Sequence, residues 1–282
     1  MSFLKSKNIS NRKILICGGG GSIGSELVRQ LSRKNKVFIL DFNETATFDL
    51  TEELKLKGHW VNCRVGDVRD YKTVDDVFSD FQPDIVFIAS AYKHVTPMEQ
   101  YPIEAINTNI LGTWNILHCA NRYKVKKLVF ISTDKAATSN CVMGASKRMG
   151  EMLTKNAGYT SVRFGNVMGS RGSLLPIWQA QIDRGEDITV TDERMTRYMM
   201  SIPQACELVI EAATQGKGGE IFILDMQKPV KIIDLAQRIV EELKGTKIKI
   251  IGLRPGESLD ERLMSSEEEA KAAKQDKFYV IR

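Results

Sequence analysis

Lys13-Ile14-Leu15-Ile16-Cys17-Gly18-Gly19-Gly20-Gly21-Ser22-Ile23-Gly24-Ser25-Glu26-Leu27-Val28 carries an apolar run straight into a glycine-rich turn and then into helical spacing. The run is a buried-strand pattern, and Ile23, Leu27 and Leu31 then share one helix face. Gly18, Gly21 and Gly24 form GxxGxxG between the two, with Ser22 and Ile23 opening the helix. Glycines there permit a tight turn and let a pyrophosphate approach the helix N-terminus, where free N–H groups and the dipole favour negative charge. A glycine-rich loop alone is weak evidence; a strand before it and a helix after it make it stronger. Asp41 ends the next apolar run, Val37 to Leu40. A carboxylate there can accept both ribose hydroxyls of an adenosine and would repel a 2′-phosphate. Phe42 and Asn43 follow it, not arginine, which favours NAD over NADP. The plainer alternative for Asp41 is a cap on the next turn.

Outward from this unit the same alternation continues. Trp60 to Val65, Ile85 to Ala89, Leu128 to Ser132 and Tyr159 to Phe164 read as strands, with helices from Pro102 to Arg122 and Val142 to Lys155. Continuous apolar strands separated by helices imply a parallel sheet covered on both faces, a Rossmann-type doubly wound α/β fold. Asp67 and Val68 follow the third strand, where an adenine amino group would lie; Asp67 could instead cap the helix starting near Asp70. Ala89 and Ala91 are small residues beside the expected dinucleotide. After Phe164 the rhythm changes, with helices at Pro203 to Thr214 and Ile232 to Leu243 and strands at Ile221 to Leu224 and Ile248 to Ile251. Residues 1–165 are expected to form the NAD-binding domain, with later segments able to return to it, and 166–282 mainly a smaller substrate-binding lobe. Ser265 to Lys277 is charged and Ala-rich and predicts a surface helix.

Composition removes several function classes. The net charge of +5 is modest, and Tyr123 to Lys127 is too short a basic cluster for nucleic-acid binding. The cysteines at 17, 63, 119, 141 and 206 and the histidines at 59, 94 and 118 lack metal-ligand spacing, so no metal is expected and the thiols read as reduced. No apolar stretch approaches a membrane span and no signal peptide opens the chain. The lysine-rich Met1 to Lys13 reads as a soluble lead-in, and the expected location is the cytoplasm.

The chemistry concentrates in Ser132-Thr133-Asp134-Lys135 and Met143-Gly144-Ala145-Ser146-Lys147. Together with the glycine loop, Ala91-Tyr92-Lys93-His94-Val95, Asn109-Ile110-Leu111-Gly112-Thr113, Arg163-Phe164-Gly165-Asn166-Val167-Met168-Gly169-Ser170, Thr196-Arg197-Tyr198-Met199-Met200 and Leu253-Arg254-Pro255-Gly256-Glu257, this resembles the extended short-chain dehydrogenases. More narrowly it resembles the UDP-N-acetylglucosamine 4,6-dehydratases of polysaccharide biosynthesis, the subgroup with Met in place of the usual catalytic tyrosine. The similarity covers nearly the whole chain. It implies oxidation at C4 of the hexose by a tightly held NAD, loss of water across C5 and C6, and return of hydride to C6, with retention expected at C5.

The resemblance also implies roles. Asp134 would protonate the leaving C6 hydroxyl and Lys135 would remove the C5 proton, for which its amine must be neutral. Lys147 would bind the nicotinamide ribose and bring positive charge near O4. Thr133 would hydrogen-bond O4, and the O4 proton would pass to an ordered water or to Asp134 through a relay. Met143 cannot move protons; it either packs or shapes the site around C4. Lys93 would reach the sugar or the nicotinamide ribose, Asn166 the diphosphate or sugar, and Ser173, Leu174 and Arg197 would lie around the uridine nucleotide. Arg254 and Glu257 would hold phosphate and ribose, the arginine being suited to a forked phosphate contact, while His94 reads as structural. The chain departs from the family wording at Ala137-Thr138-Ser139-Asn140-Cys141 and at Ser258. A 4-epimerase or reductase of a UDP-sugar, and a non-catalytic nucleotide-sugar-binding protein, stand as alternatives; the Asp134–Lys135 pair argues against both. The helices 102–122 and 142–155 could pair with copies of themselves, giving a homo-oligomer.

Overall fold

A computed structural model describes residues 9–242 and 246–282; Met1 to Asn8 of the lysine-rich start, and Leu243, the expected end of a helix, lie outside the described residues. The first half runs β1 (Lys13–Cys17), α1 (Ser22–Leu31), β2 (Lys36–Asp41), α2 (Glu44–Leu56), β3 (Asn62–Val65), α3 (Tyr71–Phe81) and β4 (Ile85–Ile88). It continues with α4 (Val95–Gln100), α5 (Pro102–Ala105), a π-helical turn (Ile106–Gly112), α6 (Thr113–Arg122), β5 (Lys127–Ile131), α7 (Lys135–Thr138), α8 (Val142–Asn156) and β6 (Thr160–Arg163). Strands β3-β2-β1-β4-β5-β6 lie side by side in that order and pair in parallel. This is the doubly wound Rossmann-type order, and its reversal between β1 and β4 opens a crevice at the carboxyl ends of the strands.

The sheet is continuous apolar in the middle because helices cover both faces. Ile14, Leu15 and Ile16 of β1 are fully buried, their side chains divided between a core under α1 and one under α3 and α6. At the edge the pattern fails: β3 is mostly exposed, and the strand expected from Trp60 begins only at Asn62, Trp60 being exposed. Low amphipathicity hid α2, which begins where the Asn43 side chain accepts the Ala46 N–H. The helix start after the third strand is capped by Asp70, which leaves Asp67 free of that task.

The second half supplies β7 (Asn166–Met168), α9 (Leu174–Asp183), β8 (Ile188–Val190), β9 (Thr196–Arg197), β10 (Met199–Ser201), α10 (Ile202–Gln215) and β11 (Ile221–Leu224). β12 (Val230–Lys231), α11 (Ile232–Glu242), β13 (Ile248–Ile250), α12 (Ser266–Glu269), β14 (Ala273–Gln275) and β15 (Phe278–Ile281) follow. These residues divide between two places. Trp178, Ile188, Val190, Met195 and Ile232 form a small core of their own. β11 instead joins β6 in parallel, β15 and β14 extend the sheet antiparallel to nine strands, and α10 buries Leu208, Val209 and Ala212 against it.

The expected surface helix over Ser265 to Lys277 is therefore a correction. Only Ser266–Glu269 is helical, started by a reciprocal capping box between Ser265 and Glu268. Glu268 turns inward to Arg163, whose Nη1 lies 2.7 Å from Oε2, and the apolar Phe278-Tyr279-Val280-Ile281 then pairs with β11. Burial of that run outweighs the helix propensity of the charged stretch before it.

Candidate active site

The crevice at the sheet's switch point is a cavity of about 690 Å³. Its floor begins at the glycine turn, where space decides the residue: a Cβ on Gly24 would lie 2.1 Å from the Gly18 carbonyl oxygen. One on Gly18, whose φ is +85°, would meet the Ser90 backbone at 2.4 Å. Only glycine lets strand, turn and helix close this tightly. Asp41 is buried at the end of β2, its carboxylate accepting the N–H groups of Gly20 at 2.8 Å and Asn43 at 2.8 Å. Asp67 accepts from the Arg69 side chain at 2.7 Å, an ion pair that, against the opposing pull of burial, holds its carboxyl below the usual range. Both aspartates and Val68, Ser22, Ile23, Ala89 and Ala91 line the cavity.

The opposite wall comes from the ends of β5, β6 and α8. Asn109 sits fully buried in the π-helical turn; its amide donates to the Tyr92 carbonyl at 3.0 Å and Ser146 Oγ at 2.9 Å, and its oxygen accepts the Tyr92 N–H. One side chain thus fixes the 89–94 loop against α8. A supporting role for Asn109 was not legible from its motif, because the π-turn has no sequence signature.

Thr133, Lys135, Met143 and Lys147 all face the cavity. Met143 is buried among Met98, Ala105 and Cys141, so a packed thioether occupies the wall four residues before Lys147. Lys147 Nζ stands 4.1 Å over the Phe130 ring, and burial pulls its ammonium down to about 7, against a smaller upward pull from Glu151. Asp134 is fully buried behind this wall. Its Oδ1 accepts the Thr133 hydroxyl at 2.9 Å and Lys135 Nζ at 3.0 Å, while Oδ2 has no partner among the described residues. Lys135 Nζ also donates to Asn166 Oδ1 at 3.3 Å and faces Glu261 Oε1 at 3.6 Å. Burial alone would lower the Lys135 ammonium, but Asp134 and Glu261 outweigh it and hold it above the usual lysine range. That is opposite to the direction expected from sequence, because the buried Asp134 carboxylate, with Glu261 beside it, favours the ammonium.

A strap crosses the cavity between Ser170 and Ser173. Lys93 Nζ donates to Ser170 Oγ at 3.2 Å, the Arg171 N–H donates to Ser22 Oγ at 3.0 Å, and the Arg171 guanidinium donates to the Gly20 carbonyl. Gly172, at φ +65°, packs on the His94 ring, and Lys93 is held below the ordinary lysine range by burial and by Arg171. Arg171 was missed in the sequence, where it reads as one more surface arginine. Leu174, Arg197, Arg254 and Glu257 do not line the cavity. Arg197 is buried, and its guanidinium donates to the carbonyls of Thr196, Ser258 and Leu259, so it shapes the 258–261 turn. Arg254 and Glu257 pair with each other at 2.6 Å on an exposed loop. The described residues gather no His, Cys, Asp or Glu cluster suited to a metal, and none of their helices is long and apolar enough to cross a membrane.

A family model described as "Polysaccharide biosynthesis protein" matches residues 14–282. The chain belongs to that family. Among its relatives, the capsular polysaccharide biosynthesis protein CapD of Staphylococcus aureus is 43% identical over 94% of this chain, and the match takes up 47% of CapD. The chain thus spans about half the length of that relative and of EpsC of Bacillus subtilis. A UDP-glucose 4-epimerase of Rickettsia prowazekii is 36% identical over 96% of the chain and 83% of its own length. The X-ray structure of Pen from Bacillus thuringiensis superposes with a TM-score of 0.92 at 38% identity, covering 96% of this chain and 89% of that one.

Proposed function

We propose that this family member is an enzyme that holds NAD in the crevice and dehydrates UDP-N-acetylglucosamine to its 4-keto-6-deoxy derivative. The observation that carries the reading is the Lys135 amine at the cavity wall, 3.0 Å from the buried carboxyl of Asp134. An acid and a base side by side is what elimination of water requires and what C4 inversion does not use. The residues fit the dinucleotide: the Gly18–Gly24 cradle admits no side chain at its closest points, Asp41 ends β2, and no arginine follows it to welcome a 2′-phosphate. When bound, NAD supplies the two-electron acceptor that takes hydride from C4 and gives it back at C6.

The chain's own groups account for the protons. Thr133 hydrogen-bonds O4, and as the C4–H bond breaks its hydroxyl takes the O4 proton while passing its own to Asp134, 2.9 Å away. Protonation of Asp134 removes one of the two charges that hold the Lys135 ammonium. Once that ammonium has released a proton to solvent, the free amine removes the C5 proton, and the C5–H electron pair becomes the C5–C6 double bond as the C6–O bond breaks. Asp134 returns its proton to the leaving hydroxyl, which departs as water; its burial supports delivery by way of Thr133 or Lys135. Lys135 finally gives its proton back to C5, on the face from which it came. One base serving one face gives retention. Met143 excludes water around C4 without taking part. Lys93, Arg171 and Ser173, on the cavity wall, would meet the diphosphate and Asn166 the sugar.

In D2O, UDP-N-acetylglucosamine is expected to yield a 4-keto-6-deoxy product carrying deuterium at C5, read by NMR. Simple C4 inversion would instead support the epimerase alternative, to which the Rickettsia relatives' names give weight. The reading includes self-association through the exposed Ile103, Ile106, Trp114 and Met152 of α5, the π-turn, α6 and α8. Sedimentation equilibrium showing only monomer would remove that part.

A further inference from the structure

Among the described residues, Glu261 is a carboxylate that pairs with Lys135 from outside the strand-end segment. It lies in the turn after Leu259, outside any helix or strand, and is buried. Its Oε1 is 3.6 Å from Lys135 Nζ and 3.9 Å from Arg197 Nη2, and it does not line the cavity. Arg197 in turn donates to the carbonyls of Ser258 and Leu259, so the turn carrying Glu261 is itself held from below.

We propose that Glu261 is a positioning residue for Lys135: it pins the amine beside Asp134 and Asn166 and favours the ammonium that removal of the C5 proton creates. The inference rests on the dehydratase reading. Lys135 is a short reach from two carboxylates, and each does a different thing. Asp134 exchanges protons with the cavity through Thr133, so its charge changes during turnover. Glu261 does not line the cavity and meets it through Lys135, so its part is to hold that amine rather than to touch the substrate. When Asp134 is protonated, Glu261 is the remaining counter-charge for the ammonium that forms. The groups facing Lys135 are Asp134 from its own segment, Glu261 from the 258–261 turn, Arg197 from β9 and the Cys141 thiol at the start of α8. Burial, with Asp134 adding to it, holds the Glu261 carboxyl above its usual range, while Lys135 and Arg197 pull against the rise.

The sign follows directly. A carboxylate beside an amine raises its proton affinity, so removing it lets the free base appear at lower pH. In Glu261→Gln the titration midpoint of Lys135, followed by the NMR shift of its ε-carbon in 13C-lysine protein, is expected to fall by ~1–3 units. The rise of kcat/KM with pH should move down with it. The plateau kcat should fall on the order of 100-fold with little change in KM, because the amine is both a weaker base and less well held. Glu261→Asp keeps the charge at shorter reach; its midpoint should stay near wild type while kcat drops. An unmoved midpoint in Glu261→Gln, or in either variant a raised KM with intact kcat, overturns the proposal. If the glutamine variant does not fold, a fall in the Glu261→Asp midpoint comparable to loss of the charge overturns it equally. The NMR midpoint needs no turnover. Wild-type protein that fails to dehydrate the sugar, with the midpoint still moving, would sink the dehydratase reading and leave the charge coupling standing; normal dehydration with no movement would sink the inference alone.

Discussion

Lys135→Ala is expected to keep its fold and its cofactor and to lose turnover by roughly 10²- to 10⁴-fold, the span that general-base groups contribute. The loss should fall on one step. Thr133 and Asp134 remain 2.9 Å apart, so the O4 proton can still leave and C4 can still be oxidised. The variant should therefore accumulate reduced nicotinamide in a single turnover, visible in its near-ultraviolet absorbance, with no deuterium entering C5. Full turnover by Lys135→Ala would refute its role as base. Loss of the nicotinamide signal along with turnover would move the defect to oxidation and point to Lys147 or Thr133 instead.

Arg163→Met should cost about 3–5 kcal/mol of stability, the largest single-site effect expected here. Arg163 is fully buried; its guanidinium donates to both Glu151 oxygens at 2.7 and 3.0 Å, to both Glu268 oxygens at 2.7 and 3.1 Å, and to the Leu263 carbonyl. Removing it strands two carboxylates in the interior beneath α8, with Arg148 at the margin as their remaining cation. Urea melts at neutral pH would measure the loss, and a change near zero would mean that the network relaxes into water. Acid supplies a second reading. Despite burial, which opposes it, Arg163 holds the Glu268 carboxyl down from 4.5 to about 2. A depressed carboxyl contributes stability above its unfolded value and loses it as pH falls through the folded one. Wild-type melts should therefore weaken between pH 4.5 and about 2 through this group, and Arg163→Met should lack that part of the decline.

The parts of the site that could be read from sequence are those where local spacing and tertiary position coincide. The glycine turn and Asp41 sit at consecutive strand ends, so a linear pattern already implies a shared crevice. Asp134, Lys135 and Lys147 are joined by a short loop and one helix, and their mutual geometry follows from that spacing. Glu261 and Arg171 escaped because each reaches the site from an irregular segment whose sequence has no period to read. Arg197 was expected by resemblance to lie around the uridine nucleotide, and only the fold reveals that backbone carbonyls occupy its donors. The C-terminal hairpin was misjudged for a related reason: the helix-forming residues before it are local, whereas the open edge of β11 that claims Phe278 to Ile281 is not.

The strap over the glycine turn sets an order of events. Its anchors, the Arg171 N–H on Ser22 and the Arg171 guanidinium on Gly20, lie on the very turn that would cradle the pyrophosphate. A dinucleotide beneath it could exchange with the surroundings only after both anchors and the Gly172 contact with His94 let go. On the proposed reading the dinucleotide should therefore leave more slowly than it turns over, and a carrier that regains its hydride within each turnover never has to be replaced.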